Sequence, residues 1–428
     1  MSTDSLLRRL DYAQPVIARR DEYYRGEQPL KFLIDRVDPS VMRFNVNIAR
    51  VAVQAVAERI RLSGVEARVG GRDVSDEAWK LVQDSDLPMT LQSAITDMLA
   101  VGSAYLIVWA DGRGTPVITA ESAEQVIVER HPVTRSVVGA VKRWEELDPN
   151  GTVLAEHVIT YGPKRIAHLK RDDAHGKLTF VEGWDNPLGV VPVVPLINIE
   201  RIHDDVGSSV IDDLAPLLDA LNKLYSDMLT TSEAVARPKR WATGVNLEDA
   251  HLDDAEWSAD NPAPVVDATP DVVAPFKDSD DMWVSELEQA KFGQLPGADL
   301  TGYESAIDSV RSMIMAVASL PAHYVGITTA NPASSEALRA AEVGLAQTAE
   351  SRIRIINRPL EWGVRMLVAI DEGVSPDNVQ VRLKWEDTNT RSIAQETDAA
   401  VKAHAEGLIT TNEARDIVGV SQTIEEQS

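Results

Sequence analysis

Apolar residues recur along this chain first at helical spacing, then at strand spacing, then at helical spacing again, and those changes set its organisation. From Leu6 to Tyr24 the pattern predicts a helix, closed by Gly26 in the left-handed conformation that ends helices. Within Asn47–Leu62 the residues Ile48, Val51, Ala52, Ala55 and Val56 predict a second helix, with Gly64 ending the run. A third, Asp76–Ala100, carries Trp79, Leu81, Val82, Leu91, Ile95 and Leu99, with a break near Pro88. Helices are expected to dominate the first hundred residues.

After Gly102 the period shortens. "AYLIVWADGRGTPVITA" reads as two β-rich runs joined by Asp111-Gly112-Arg113-Gly114, a strong hairpin signal. Further strands are expected at Gln125–Glu129, Val137–Trp144, Val153–Tyr161, Arg165–Lys170 and Lys177–Gly183, separated by turns such as Asp148-Pro149-Asn150-Gly151. Residues 100–200 therefore predict a mostly antiparallel sheet unit.

Helical spacing returns at Ser208–Ala236, where Val210, Leu214, Leu217, Leu218, Leu221, Leu224 and Leu229 form one broad stripe. Such a helix would span about 40 Å at about 1.5 Å per residue. Pro238 ends it. Residues 246–305 then hold fifteen acidic residues opposed only by Lys277 and Lys291. With Pro262, Pro264, Pro270, Pro275 and Pro296 this segment reads as extended and turn-rich, an excursion between helices.

The next helix, Gly302–Leu320, aligns Ile307, Val310, Ile314, Val317 and Leu320, and Pro321 stops it. A polar loop follows, with His323 its one basic side chain, ending in Asn331-Pro332-Ala333-Ser334, which pairs an N-cap asparagine with a proline at the first helical position. Glu336 favours the positive end of the long helix that follows, which is expected to kink at Pro359 and continue to Ile370. Val379, Val381, Leu383 and Trp385 alternate as a strand, and two short helices around Gly407 finish the chain.

Charge changes the picture. The 428 residues, 44% of them hydrophobic, carry 42 Lys+Arg against 67 Asp+Glu, a formal net charge of -25. A surface so acidic repels polyanions and disfavours tight nucleic-acid binding. With no cysteine, disulfides, thiolate nucleophiles and cysteine-ligated metals are excluded. The first thirty residues lack the uninterrupted apolar core of a signal peptide or anchor, and the longest apolar stretch, Gly189–Ile197, falls short of the roughly 18 residues of a membrane span. A soluble chain is expected.

Local catalytic signatures are missing: no phosphate loop, paired-glycine dinucleotide fingerprint, G-x-S-x-G elbow or H-E-x-x-H helix occurs. The eight histidines are scattered without metal-ligand spacing and read as surface or packing residues. Asp278-Ser279-Asp280-Asp281 could coordinate a hard cation but lacks the glycine and distal glutamate of a calcium loop, so a solvated acidic loop is the better reading. Asp212-Asp213 and Glu145-Glu146 are neighbours that point apart in regular structure and read as surface. Arg339, Arg352, Arg354 and Arg358 on the long helix could meet phosphate, but on a helix that also carries Glu336, Glu342 and Glu350 intersubunit or intrahelical ion pairs are at least as good a reading. The dispersed aromatics make no stacking platform.

Several phrases, in their order and spacing, resemble the portal (head-to-tail connector) proteins of tailed phages, particularly the long-tailed group. They are "YYRG" (23–26), "NIARVAVQAVAERIRLSG" (47–64), "GSAYLIVW" (102–109), "NPLGVVPVVPLIN" (186–198), "GSSVIDDLAPLLDALNKLYSD" (207–227) and "SSEALRAAE" (334–342). The resemblance implies an α+β portal fold that assembles as a ring: a helix-rich N-terminus with an antiparallel β wing, long stem helices, an extended clip and a short helical crown. The implied division is wing 1–206, first stem helix 207–238, clip 239–297, second stem helix 298–321, tunnel loop 322–335, long kinked helix 336–371 and crown 372–428.

By the same resemblance Gly326, Thr328, Thr329, Asn331, Ser334 and Ser335 face double-stranded DNA in a channel. Asp253, Asp254, Glu256, Asp278, Asp280 and Asp281 form a docking surface for the terminase large subunit and a head-completion or tail adaptor protein. The remaining implied partners are further copies of the chain, the major capsid protein and the scaffolding protein, with no membrane, no cofactor and no catalysis. The implied location is the portal vertex of the virion after assembly in the host cytoplasm. A channel lined with lysine would hold DNA, whereas an acidic wall repels it over the about 8 to 10 Å that salt permits. An oligomeric enzyme with a nonlocal carboxylate site and a virion scaffold without a channel stay open as alternatives, the first needing a pocket with convergent polar groups.

Overall fold

The computed structural model describes residues 3–31, 45–172, 176–202, 206–236, 240–243, 289, 291–294, 299–326, 335–389 and 393–418. They fall into two compact units, one of residues 1–223 and 308–428, the other of residues 224–307. Among the described residues no helix is long and apolar enough to cross a membrane.

In the larger unit α1 (Thr3–Arg25) ends at Gly26, whose φ of 75° is the expected left-handed stop. Leu6, Leu7 and Leu10 on its buried face pack against Ile127, Val141 and Val158 of a sheet described below. The second helix, α2 (Ile48–Ala57), is shorter than its apolar pattern suggests. Asn47 caps it by accepting from the Arg50 N–H at 3.1 Å, and Leu62 already belongs to strand β1 (Leu62–Val69). That strand pairs antiparallel with β2 (Arg72–Asp73) and, from Leu62↔Trp385 to Val69↔Val379, with β13 (Val379–Trp385). Helices do dominate the first hundred residues, but the expected helical run to Leu62 is corrected: the partner that makes 62–69 a strand lies more than three hundred residues away.

The predicted third helix is two, α3 (Ser75–Asp84) and α4 (Leu87–Val101), divided at Asp86 with φ 55° and with Pro88 in the first turn of the second. Leu91, Ile95, Met98 and Leu99 of α4 are fully buried. They lie over a sheet of order β10-β3-β4, built from β3 (Ser103–Ala110), β4 (Pro116–Ser122) and β10 (Val193–Ile197). The other strands form a separate meander, β5 (Val126–Arg130), β6 (Val137–Leu147), β7 (Val153–Tyr161), β8 (Arg165–Arg171) and β9 (Thr179–Asp185), every pair antiparallel. The single sheet unit read from the sequence is thus two sheets.

The stripe beginning at Ser208 becomes helical only at Ala215: α5 (Ala215–Ala236) has 22 residues, about 33 Å at about 1.5 Å per residue. Residues 207–214 turn instead, because Arg20 and Ser209 draw this backbone onto the end of α4. The Ser209 hydroxyl donates to the Ala100 carbonyl at 2.5 Å, and Arg20 donates to the Val101 carbonyl at 2.6 Å and the Gly207 carbonyl at 3.2 Å while pairing with Asp212.

In the smaller unit β11 (Arg240–Thr243) and β12 (Lys291–Gln294) pair antiparallel, and the Thr231 and Tyr303 hydroxyls meet at 3.3 Å. Asp299 accepts from the Thr301 N–H at 2.9 Å and so starts α6 (Thr301–Ala318).

The long helix α7 (Ser335–Glu372) has 38 residues and runs through Pro359. Its face of Ile356, Leu360, Val364 and Leu367 is fully buried, and Trp385 donates to the Asn357 side chain at 2.8 Å. The closing helices are α8 (Ile393–Ala405) and α9 (Thr411–Val418), with Gly407 at φ 70° between them.

Candidate functional site

The polar loop between α6 and α7 starts from a fixed turn. Ser319 takes φ 53° and the Leu320 N–H returns to the Met315 carbonyl at 3.0 Å, so α6 closes before Pro321 and Leu320 is buried. Residues Ala322–Val325 form a 3-10 turn that Gly326 ends at φ 73°. Arg311 of α6 donates to the Val325 carbonyl and leans on Asp308 at 3.5 Å, so the turn is strapped to the helix before it. A Cβ at Gly326 would come within 2.9 Å of that guanidinium.

Glu342 of α7 lies 3.7 Å from His323 and 3.3 Å from Arg59 of the segment after α2. The turn is therefore tied to both helices and to the N-terminal region. Met313 and Val317 of α6 and Val343 of α7 remain about half exposed. Val317, expected on the packed side of the helix, belongs to this outward set.

Of the predicted loop residues, Gly326 lies at the end of the turn and Ser335 at the first position of α7. Thr328, Thr329, Asn331 and Ser334 lie outside the described residues, as does the Asn331–Pro332 cap. The docking residues Asp253, Asp254, Glu256, Asp278, Asp280 and Asp281 do too. The acidic segment that holds them leaves the described chain after β11 and returns to it by β12, two strands in register from Arg240↔Gln294 to Thr243↔Lys291. Its two ends are thus held side by side.

The whole-chain comparison decides the family. The family described as "Phage portal protein, SPP1 Gp6-like" matches residues 5–427. The chain belongs to this portal family. The portal proteins of Mycobacterium phage L5 and Mycobacterium phage D29 are 26% and 27% identical to it, over 98% and 88% of this chain and 85% and 76% of theirs. A solved chain from the neck of an empty GTA particle, computed with C6 symmetry, matches with a TM-score of 0.50 at 14% identity, covering 95% of this chain and 94% of that one, a likeness of fold. Portal proteins are structural components of the phage head-tail connector, and the family is not an enzyme family.

Other side chains of this portal chain come together in ways its sequence conceals. His157 and His168, called scattered above, meet across β7 and β8 with Nδ1 and Nε2 2.9 Å apart, both stacked beside Trp144 of β6. Glu146 reaches His157 at 3.1 Å, and this hydrogen bond, helped by the Lys170 charge, holds its carboxyl below the usual carboxylate range. Counting residues across the β7–β8 hairpin would have revealed the pair; spacing along the chain could not. Among the described residues no three histidine or acidic side chains are arranged to hold a metal ion.

The arginines of α7 divide. Arg354 pairs with Glu350 at 3.3 Å, the intrahelical alternative, whereas Arg352 pairs at 2.7 Å with Glu200, which lies outside the helix. Arg358 remains exposed. Asp212, read as plain surface, is the exposed half of the Arg20 pair at 2.6 Å.

Proposed function

We propose that this chain assembles through heterologous contacts into a closed ring of about twelve copies at one capsid vertex and there conducts double-stranded DNA during packaging and ejection. The match to the portal family across residues 5–427 carries this reading. Two long helices joined by a polar loop, in a chain of net charge -25, support it physically. A ring of such loops touches DNA without a fixed cation to grip it, and a conduit needs contacts that release as readily as they form.

In this reading residues 326–335 project into the lumen, with Thr328, Thr329, Asn331, Ser334 and Ser335 brushing the phosphates. The domain division follows the same order: wing, stem, clip, stem, tunnel loop, long helix and crown. The pairing of residues 379–385 with β1 ties the start of the crown segment to the wing. The acidic clip, through Asp253, Asp254, Glu256, Asp278, Asp280 and Asp281, docks the terminase motor during packaging and a head-completion adaptor afterwards. The protein acts in the virion neck after assembly in the host cytoplasm beside capsid and scaffolding proteins.

Two substitution sets test the assignment in assembling particles. Replacing Thr328, Thr329 and Asn331 by lysine should leave ring formation intact and slow DNA passage, read as packaged genome length; unaltered packaging would remove the loop from the channel. Replacing the six clip carboxylates by their amides should abolish adaptor capture by purified rings. Capture at the original level would assign docking to another surface.

A further inference from the structure

An open groove of about 1100 Å³ crosses the larger unit between the β5–β6 turn, the segment before β10 and the middle of α7. Four arginines line it, Arg130, Arg135, Arg358 and Arg365, against the single carboxylate of Glu361. In a chain with 67 acidic and 42 basic residues such a concentration of positive charge is a local inversion. Among the described residues neither Arg358 nor Arg365 forms an ion pair, and the buried Nε of Arg365 has no hydrogen-bond partner. A guanidinium half withdrawn from water and unneutralised is costly unless a carboxylate arrives from outside.

The apolar part of the lining says what kind of surface would bring that carboxylate. Trp362 stands half-buried between Arg358 and Arg365, and Val138 and the Val190–Val194 run supply an aliphatic wall. Arg135, held at φ 60°, reaches the carbonyl of Ile202, a residue 85% exposed, and Val133 in the same turn is 83% exposed. Lysine is absent from the lining. Arginine also recognises phosphate, but arginine together with a tryptophan and an aliphatic rim is the composition of protein interfaces.

We infer that this groove receives a carboxylate-bearing surface of a second copy of the same chain. The inference rests on the ring reading above and extends it to a named contact. A closed ring is heterologous, so a groove on one copy must meet a different patch on the next, and charge complementarity selects an acidic patch. The rest of the chain, far more acidic than basic, offers many such patches. The groove is a place where a strongly negative subunit can accept another.

The test uses the full-length chain. Arg358→Glu, an exposed position that folding tolerates, should raise the concentration needed for ring assembly by about tenfold or more, with Arg358→Lys intermediate and the melting of the unassembled chain unchanged. In parallel, Val138→benzoylphenylalanine, irradiated in assembled rings, should cross-link to an acidic peptide of a second copy, identified by mass spectrometry. Rings that form at the original concentration with Arg358→Glu and give no cross-link between copies overturn the inference and leave the ring reading standing. Cross-links to DNA or to another virion protein alone also overturn it. If the unsubstituted chain forms no ring at all, the ring reading fails and takes this contact with it.

Discussion

Asp111–Thr115 and Asp148–Thr152 are two hairpin turns built alike. In each the aspartate accepts the N–H groups of the second and fourth residues after it, at 2.8 and 2.9 Å for Asp111 and at 2.8 and 2.7 Å for Asp148. Gly114 and Gly151 supply the positive φ of 84° and 83°. These backbone bonds, led by those from Thr115 and Thr152, hold both carboxyls below their ordinary value of 3.8. A carboxyl lowered on folding adds stability that is present above the unfolded value and is lost as pH falls through the folded one. The double variant Asp111→Asn, Asp148→Asn should therefore melt below the parent at neutral pH, and the gap should close under acid. A gap that persists unchanged below pH 3.8 would contradict this origin. Both turns were legible in the sequence because aspartate and glycine act locally. The meeting of Gly102 and Gly207 was not: a Cβ on Gly207 would lie 2.0 Å from the Gly102 carbonyl oxygen. Gly207→Ala should cost about 1–3 kcal/mol in backbone strain alone and lower the melting temperature of the larger unit.

Among elements, those whose apolar pattern is self-contained were readable and those completed by a distant partner were not. The helix from Thr3, the hairpin β3–β4 and the strands β6 to β8 stand close to where periodicity put them. Strand β1 has no counterpart in the sequence pattern, which ends the helix at Leu62–Gly64, because the register that makes it a strand comes from residues 379–385. Removing the chain after residue 389 should leave the fold melting cooperatively, since α8 and α9 lie beyond this pair. Removing it after residue 373 should strip β1 of its long partner and abolish cooperative melting; survival of the melt would show that the pairing is dispensable. Arg20 joins α1, the end of α4 and the turn before α5 through the Val101 and Gly207 carbonyls and Asp212. Arg20→Ala takes the donor from the Val101 and Gly207 carbonyls and the cation from Asp212 and should cost about 1–3 kcal/mol, and Arg20→Lys should not restore it, because one ammonium cannot reach the three together. Denaturant unfolding of both variants decides the point. The loop between α6 and α7 was legible as a polar break between helices, but the Arg311 strap that fixes its start was not, being a contact from a side chain to a distant backbone carbonyl.

For the whole molecule, charge is the property that the sequence states most plainly, and the portal assignment gives it a use. A net charge of -25 on each copy opposes close assembly, so the proposed ring would have to bring unlike charges together at its contacts. On the proposed ring reading, assembly is expected to depend on salt at its contacts, and passage of DNA on the weakness of what the lumen offers. The order of the long helices and the loop was readable from the sequence; the ring is a property of many copies, which no single chain displays. The most direct test is native mass spectrometry of the purified protein combined with negative-stain imaging at several concentrations. The account predicts closed rings of about twelve copies with a central hole. A stable monomer or dimer at every concentration, with no ring in the images, would contradict it.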